Sequence, residues 1–177
     1  MINKMKNDEC LVYKDLIRTI ENFPTEGISF KDITPLVYDK NAYKLVIDTF
    51  AKLLKNQGCT VIAGVESRGF WFAPAIAIEA NLNFLPIRKE GKLPLTSCSV
   101  KYNLEYGSAS IEIPNGLLKP VDKVSIFDDV LATGGTLVAA ERLIRENGAE
   151  VVSCCTLLDL EVIKNKCLPS AAVYTLF

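Results

Sequence analysis

Short, continuously apolar segments alternate with segments of helical period from residue 60 onward, and this alternation constrains the fold more than any other feature. Residues 60–65 (TVIAGV), 123–127 (KVSIF) and 150–158 (EVVSCCTLL) have the length and unbroken hydrophobicity of strands buried on both faces. Helix-period segments at 69–81 and 135–147 follow the first two of these strands. The pattern predicts an α/β fold with a central, mostly parallel sheet flanked by helices.

The same strand and helix patterns predict the remaining elements. Residues 8–20 and 41–56 place apolar side chains three and four positions apart, which indicates an amphipathic helix in both places. Residues 83–87 predict a further strand. No internal repeat or linker interrupts the 177 residues, so we expect a single domain over 1–177. Residues 88–107 show no clear periodicity and predict a long functional loop without structure of its own.

The composition excludes several classes of function. The chain contains no histidine, which rules out a Ser-His-Asp triad, a Cys-His nucleophile, a histidine-ligated zinc ion and an imidazole base. Its formal net charge is −1, without the excess of Lys and Arg that binding to nucleic acid or an acidic membrane surface requires. We therefore expect neither nucleic acid nor a membrane as a partner.

Cysteine usage and the N-terminal sequence indicate the compartment. None of the six cysteines lies in a C-x-x-C pair, so neither a zinc knuckle nor a thioredoxin-like motif is present. The first ten residues (MINKMKNDEC) lack the apolar core of a secretory signal, and no apolar run of about 20 residues is long enough to span a bilayer. We expect reduced thiols and a cytoplasmic protein.

Three segments rich in charged or small residues follow predicted parallel strands: 66–69, 88–92 and 128–136. Ligands of open parallel sheets bind beyond the carboxyl ends of the strands, so we expect these segments to share a site. In the third, two aspartates end an apolar strand and a loop of small residues opens a helix. The amides and dipole of such a helix start suit a phosphate, and paired carboxylates suit ribose hydroxyls or a Mg²⁺-bound sugar.

Residues 127–136 (FDDVLATGGT) resemble the phosphoribosyl pyrophosphate signature of the type I phosphoribosyltransferases. Further segments are similar to the adenine-specific members of that family and occur in the same order: 23–35 (FPTEGISFKDITP), 64–72 (GVESRGFWF), 88–94 (RKEGKLP) and 102–107 (YNLEYG). The resemblance implies transfer of the 5-phosphoribosyl group from phosphoribosyl pyrophosphate to adenine with Mg²⁺, giving AMP and pyrophosphate. It also implies a small N-terminal base-binding hood at about 1–35, a flexible catalytic loop at 88–107 and a homodimer.

The resemblance assigns a role to each motif. The 5′-phosphate would be bound by Ala132, Thr133, Gly134, Gly135 and Thr136, and the ribose, with Mg²⁺ held mainly through the substrate, by Asp128 and Asp129. Pyrophosphate would be bound by Ser67, Arg68, Arg88, Lys89, Lys92 and Tyr106, and adenine by Ser29, Phe30 and Lys31. Arg68 and Glu105 would be catalytic, the first toward the leaving pyrophosphate and the second toward the N9 proton of adenine. The family also implies a cis peptide bond between Glu66 and Ser67.

Departures from the family pattern leave two alternatives open. Ser29 stands where the family usually carries an apolar residue and Lys31 where Arg is common, so the acceptor of the same chemistry could be another base. Residues 161–168 lack the Gly-Arg pair expected after 158–160. The second alternative is a regulator that binds phosphoribosyl pyrophosphate or a nucleotide without turnover. Such a protein usually carries a DNA-binding segment, and the residues before Phe23 have no basic excess.

Overall fold

The computed structural model of the chain describes residues 1–5, 7–103 and 108–177. These form ten strands: β1 Ile2–Lys4, β2 Arg18–Glu21, β3 Ser29–Asp32, β4 Val61–Val65, β5 Asn83–Lys89, β6 Thr96–Asn103, β7 Ser108–Pro114, β8 Lys123–Leu131, β9 Glu150–Asp159 and β10 Ala172–Thr175. They also form five α-helices: α1 Asp8–Leu11, α2 Thr34–Tyr38, α3 Lys40–Asn56, α4 Ala73–Ala80 and α5 Gly135–Glu146. None of these helices is long and apolar enough to cross a membrane.

Eight strands form one sheet in the order β1-β10-β9-β8-β4-β5-β7-β6. Every neighbouring pair from β1 through β5 is parallel, and at the far edge β7 pairs antiparallel with both β5 and β6. The remaining strands, β2 and β3, form a separate antiparallel hairpin. The predicted α/β class with a mostly parallel central sheet is confirmed.

Helices cover both faces of the sheet because side chains alternate along each strand. In β4, Ile62 belongs to the core cluster on the α3 and α4 side, together with Phe50 of α3. The adjacent Ala63 belongs to the opposite cluster, with Leu143 of α5. Phe127 of β8 lies edge-on to Phe50, with ring centroids 5.0 Å apart. Packing on both faces fixes the ends of β4 and β8, where the predicted site lies.

The helix predicted over residues 8–20 is wrong. Helix α1 has a single turn, which the Asn7 side chain caps by accepting the backbone amides of Glu9 and Cys10. Val12, which the helical pattern placed on an apolar stripe, is 75% exposed. The last residues of the segment instead form β2, which pairs with β3 in antiparallel register. Pairing between distant segments overrides the local periodicity here.

Residues 88–103, the described part of the predicted 88–107 loop, do not form one unstructured segment. Strand β5 continues to Lys89, a turn follows at Gly91 with φ of 80°, and β6 then pairs antiparallel with β7. Strand β6 carries a weak hydrophobic signal because Val100 is the one buried side chain among those the structure describes in it. Val100 pairs with Ile111 of β7, which is also buried.

Candidate active site

The candidate site lies where β4 ends beside β8. Gly64 pairs with Phe127, so the segment that follows Val65 leaves the sheet beside Asp128 and Asp129, whereas β8 continues along β9 to Leu131, past its predicted end at residue 127. Gly69 allows these segments to approach closely, since a Cβ at this position would lie 2.9 Å from the Phe127 carbonyl oxygen and 3.5 Å from Asp128 Cα. The turn that carries Arg68 therefore packs directly against the aspartate pair, as the sequence predicts.

Arg68 connects three parts of the site. Its Nε lies 2.8 Å from Asp129 Oδ2, and one terminal nitrogen donates to the Lys31 carbonyl at 3.0 Å. The guanidinium carbon lies 4.8 Å from the centroid of the Phe30 ring, which is a cation–π distance. Side chains predicted to bind pyrophosphate, ribose and base thus meet around a single guanidinium.

The aspartate pair is electrostatically strained. Burial and the neighbouring Asp129 charge raise the pKa of Asp128 well above its usual range. Burial also raises the pKa of Asp129, although the Arg68 charge opposes that shift. Asp129 is only 5% exposed, and its Oδ2 makes no aligned hydrogen bond even though Arg68 Nε is near. An under-satisfied buried carboxylate oxygen is costly and favours a bound cation or hydroxyl donor.

These two carboxylates fit Mg²⁺ as a partial site. Hard carboxylate oxygens are the ligands that Mg²⁺ prefers, and it usually binds through one or two carboxylates together with substrate phosphates. Within the described residues, no three His, Cys, Asp or Glu side chains come together as a metal cage. A magnesium ion beside Asp128 and Asp129 would therefore take its remaining ligands from substrate and water.

We predict that Asp128→Asn raises the melting temperature of the ligand-free protein, and more so at higher pH. A raised pKa means that folding favours the protonated carboxyl, so this stabilisation is lost as pH rises from the ordinary aspartate pKa through the folded value. Asparagine avoids the buried charge and keeps the oxygen that accepts the Asp129 amide at 2.9 Å. Thermal denaturation across a pH series checks the prediction, and a pH-independent difference would contradict it.

The phosphate loop, residues 132–136, leads from β8 into α5. Gly134 has a φ of 85° and stands at the N-cap of α5, which no side chain caps. The first amides of a helix have no partners within the helix, and the dipole makes that end attractive to anions. A helix start of this kind is suited to bind an anion, and the assignment of Thr133 to Thr136 to the 5′-phosphate stays a prediction.

Glu66 organises the cationic segment at 88–92. The Arg88 guanidinium donates twice to the Glu66 carboxylate, at 3.2 and 3.1 Å, and the Lys89 amide donates to it at 3.2 Å. The hydrogen bond from Arg88 lowers the pKa of Glu66. Glu112, which is 3% exposed, accepts the Lys92 amide at 2.9 Å. Sequence reasoning assigned no role to either glutamate, although Glu66 directly precedes Ser67 at a strand end.

The β2–β3 hairpin presents different groups on its two faces. Ser29 Oγ donates to the Glu21 carboxylate at 3.1 Å, and Lys31 Nζ donates to Thr19 Oγ1 at 2.6 Å. Phe30 alternates to the opposite face, toward the rest of the site. The side chains that depart from the family pattern therefore bond to β2, whereas the Phe30 ring and the Lys31 carbonyl face the site.

Two predicted site residues, Glu105 and Tyr106, lie outside the described residues, so their roles stay predictions. The peptide bond between Glu66 and Ser67 is cis, as the resemblance implies. The other predicted residues lie on three neighbouring strand ends and the β2–β3 hairpin.

Comparison with known proteins identifies the family to which this chain is similar. Residues 36–171 match the phosphoribosyl transferase domain family. The adenine phosphoribosyltransferase of Clostridium tetani is 45% identical over 153 residues, which cover 86% of this chain and 89% of that protein. The solved adenine phosphoribosyltransferase of Rhodothermus marinus superposes with a TM-score of 0.88 at 40% identity, over 96% of this chain and 98% of that one. The Saccharomyces cerevisiae enzyme, solved with an imino-altritol bisphosphate and adenine, gives 0.89 at 33% identity, over 95% and 98%.

The fold and the matched domain define a phosphoribosyltransferase with the type I architecture. The chain is 40–45% identical to adenine phosphoribosyltransferases over most of its length, which identifies the branch of this class. The chain belongs to the adenine phosphoribosyltransferase family.

Proposed function

We propose that this protein transfers the 5-phosphoribosyl group of phosphoribosyl pyrophosphate to N9 of adenine, forming AMP and pyrophosphate in purine salvage. One observation carries the proposal: Arg68 contacts Asp129 on the sugar side of the site and both Phe30 and Lys31 on the base side. A guanidinium in that position lies at the junction between the base, the sugar and the leaving group.

The sugar substrate would be bound at both ends. The phosphate loop binds the 5′-phosphate through the first amides of α5, and Asp128 and Asp129 bind the ribose hydroxyls. Arg68 has five N–H donors, so its contacts to Asp129 and Lys31 leave donors for the pyrophosphate. The charge on pyrophosphate grows as it leaves, and fixed cations stabilise that charge in the transition state.

Magnesium and the cationic segment would support the leaving group. Mg²⁺ supplies charge neutralisation of the pyrophosphate oxygens when it is bound, with Asp128 and Asp129 as its protein-side ligands. Arg88, held by Glu66, presents its charge at the end of β5 beside the backbone of Lys89. Ser67 at the end of β4 adds a hydroxyl to the same group.

The base would lie against the β2–β3 hairpin. The Phe30 ring offers an aromatic face, and the backbone near Ser29 and Lys31 offers hydrogen bonds to the edge of adenine. Glu105 would accept the N9 proton or stabilise the charge that develops at the sugar, and Tyr106 would contact the pyrophosphate. Closure of the loop that carries Glu105 and Tyr106 would exclude water and so limit hydrolysis of the activated sugar.

The working form we propose is a cytoplasmic homodimer in which the 88–92 segment of one subunit reaches the partner's pyrophosphate. Four of the described cysteines are buried free thiols, as expected of a reducing compartment. Light scattering coupled to size exclusion tests the dimer, and a monomer that retains full activity would contradict it.

A panel of acceptor bases tests the proposed substrate against the alternatives. We expect the purified protein to use adenine in strong preference to hypoxanthine, guanine, uracil and orotate. Ser29 and Lys31 depart from the adenine-specific pattern, but their side chains bond to β2, so the surface that faces the base still consists of Phe30 and backbone. Preferred turnover of another base would replace adenine in the proposal. Binding of phosphoribosyl pyrophosphate without turnover of any base would favour the regulator.

A further inference from the structure

The segment that joins β9 to β10, residues 160–171, lies against the phosphate loop and has no role in the proposed function. We call it the C-terminal strap. The Leu160 amide donates to the Leu131 carbonyl at 3.0 Å, and the Cys167 amide donates to the Thr133 carbonyl at 2.7 Å. The strap thus contacts the last residue of β8 and, at Thr133, the phosphate loop.

The second of these bonds sets the orientation of one peptide unit. The cis peptides within the described residues are Phe23-Pro24 and Glu66-Ser67, so the Thr133–Gly134 peptide is trans. In a planar trans peptide the carbonyl and the following N–H point in opposite directions. Because the Thr133 carbonyl points to the strap, the Gly134 N–H points away from it.

Two anchors hold the strap in place. Lys166 Nζ forms an ion pair with the Asp159 carboxylate, and their side chains are only 7% and 13% exposed. Further along, the Glu141 carboxylate of α5 accepts the Ser170 amide at 2.7 Å and the Ala171 amide at 2.9 Å. Lys166 directly precedes the residue whose amide holds the loop, so its anchor acts closest to the phosphate loop.

We propose that Lys166 is a positioning residue for the 5′-phosphate, and this proposal rests on the proposed function of the phosphate loop. Its ion pair with Asp159 holds the Cys167 amide on the Thr133 carbonyl, and the fixed peptide aims the Gly134 N–H at the phosphate. Without the ion pair the strap is anchored only near its two ends, at Leu160 and at Ser170 and Ala171, so the Thr133–Gly134 peptide is held less firmly. A donor that must be ordered during binding contributes less than one that is already in place.

The test separates the two ends of the sugar substrate. In Lys166→Met, calorimetric titration should show the Kd for ribose 5-phosphate raised about tenfold, as expected for the loss of one charge-assisted hydrogen bond. The Kd for pyrophosphate should stay unchanged. In the steady state, KM for phosphoribosyl pyrophosphate should rise by a similar factor while kcat changes little. Lys166→Arg should restore wild-type binding because it keeps the ion pair.

A matched control breaks an exposed ion pair on the same strap. Lys4 Nζ lies 2.9 Å from Glu161 Oε1, with side chains 53% and 70% exposed, so Glu161→Gln should leave both dissociation constants unchanged. If Lys166→Met does not fold, Asp159→Asn replaces it, since asparagine removes the charge that forms the ion pair while filling the same volume. The same selective loss is expected in that variant.

The possible results lead to distinct conclusions. Unchanged ribose 5-phosphate affinity in the folded variant, or equal loss for ribose 5-phosphate and pyrophosphate, would overturn the positioning role of Lys166. If the wild-type protein itself does not bind ribose 5-phosphate, the assignment of the phosphate loop fails instead.

Discussion

Gly134→Ala should lower kcat/KM for phosphoribosyl pyrophosphate by about 10²-fold or more. Gly134 has a φ of 85°, and a Cβ there would overlap the Cys167 carbonyl oxygen. The backbone strain costs on the order of 1–3 kcal/mol of stability. Each misplaced amide loses a hydrogen bond to the charged phosphate worth roughly 1.5–3 kcal/mol, and about 1.4 kcal/mol corresponds to a tenfold change. The overlap can be relieved by a shift of the strap or by rotation of the peptide. Both movements displace the amides that would bind the 5′-phosphate.

Gly148→Ala is the matched control for this substitution. Gly148 also has a φ of 85°, but no atom lies within 4 Å of the position that its Cβ would take. It should lose about 1 kcal/mol of stability from backbone strain alone and keep its kcat/KM. Steady-state kinetics and thermal denaturation of both variants separate the two effects. Wild-type kcat/KM in Gly134→Ala would show that the phosphate loop does not bind the substrate.

Glu105→Ala should reduce kcat by about 10²- to 10⁴-fold, the usual contribution of a positioned acid–base group. Binding of phosphoribosyl pyrophosphate should change far less, since the resemblance assigns Glu105 to the N9 proton of adenine and other residues to the sugar substrate. Glu105→Gln keeps the shape and removes the charge, so it should lose activity to a similar extent.

The control for Glu105 is Glu79→Gln, which removes an exposed acid from the last turn of α4 and should leave kcat unchanged. Rapid-quench measurement of AMP formation, together with equilibrium binding of phosphoribosyl pyrophosphate, separates chemistry from binding. An unchanged kcat in Glu105→Ala would remove the proposed role.

The buried parallel strands and long helices could be predicted from local sequence. Strands β4 and β9 match their predicted apolar runs, and α3 begins at Lys40, one residue from the expected start. Strand β8 continues four residues past its predicted end at 127, because the segment with the two aspartates stays paired with β9. Strands β2 and β6 could not, because each depends on a partner strand that no local pattern identifies. A short, half-exposed strand gives little periodic signal, so its pairing decides its structure.

The composition of the candidate site could be predicted, whereas its pairings could not. The motifs locate Arg68 and Asp129 at strand ends, but their 2.8 Å ion pair depends on β4 and β8 being neighbours. The same holds for Arg88 with Glu66, whose strands are adjacent only in the folded sheet. Lys166 stands in the segment that departs from the family pattern, and only the fold shows that it pairs with Asp159.

If the segments at the ends of β4, β5 and β8 form one phosphoribosyl-transfer site, a single reaction should yield both expected products. The purified protein is incubated with adenine, phosphoribosyl pyrophosphate and Mg²⁺, and AMP and pyrophosphate are both quantified. We predict that the two products form in equal amounts and that chelation of the metal stops the reaction. Folded protein that binds phosphoribosyl pyrophosphate but forms no AMP would contradict the account.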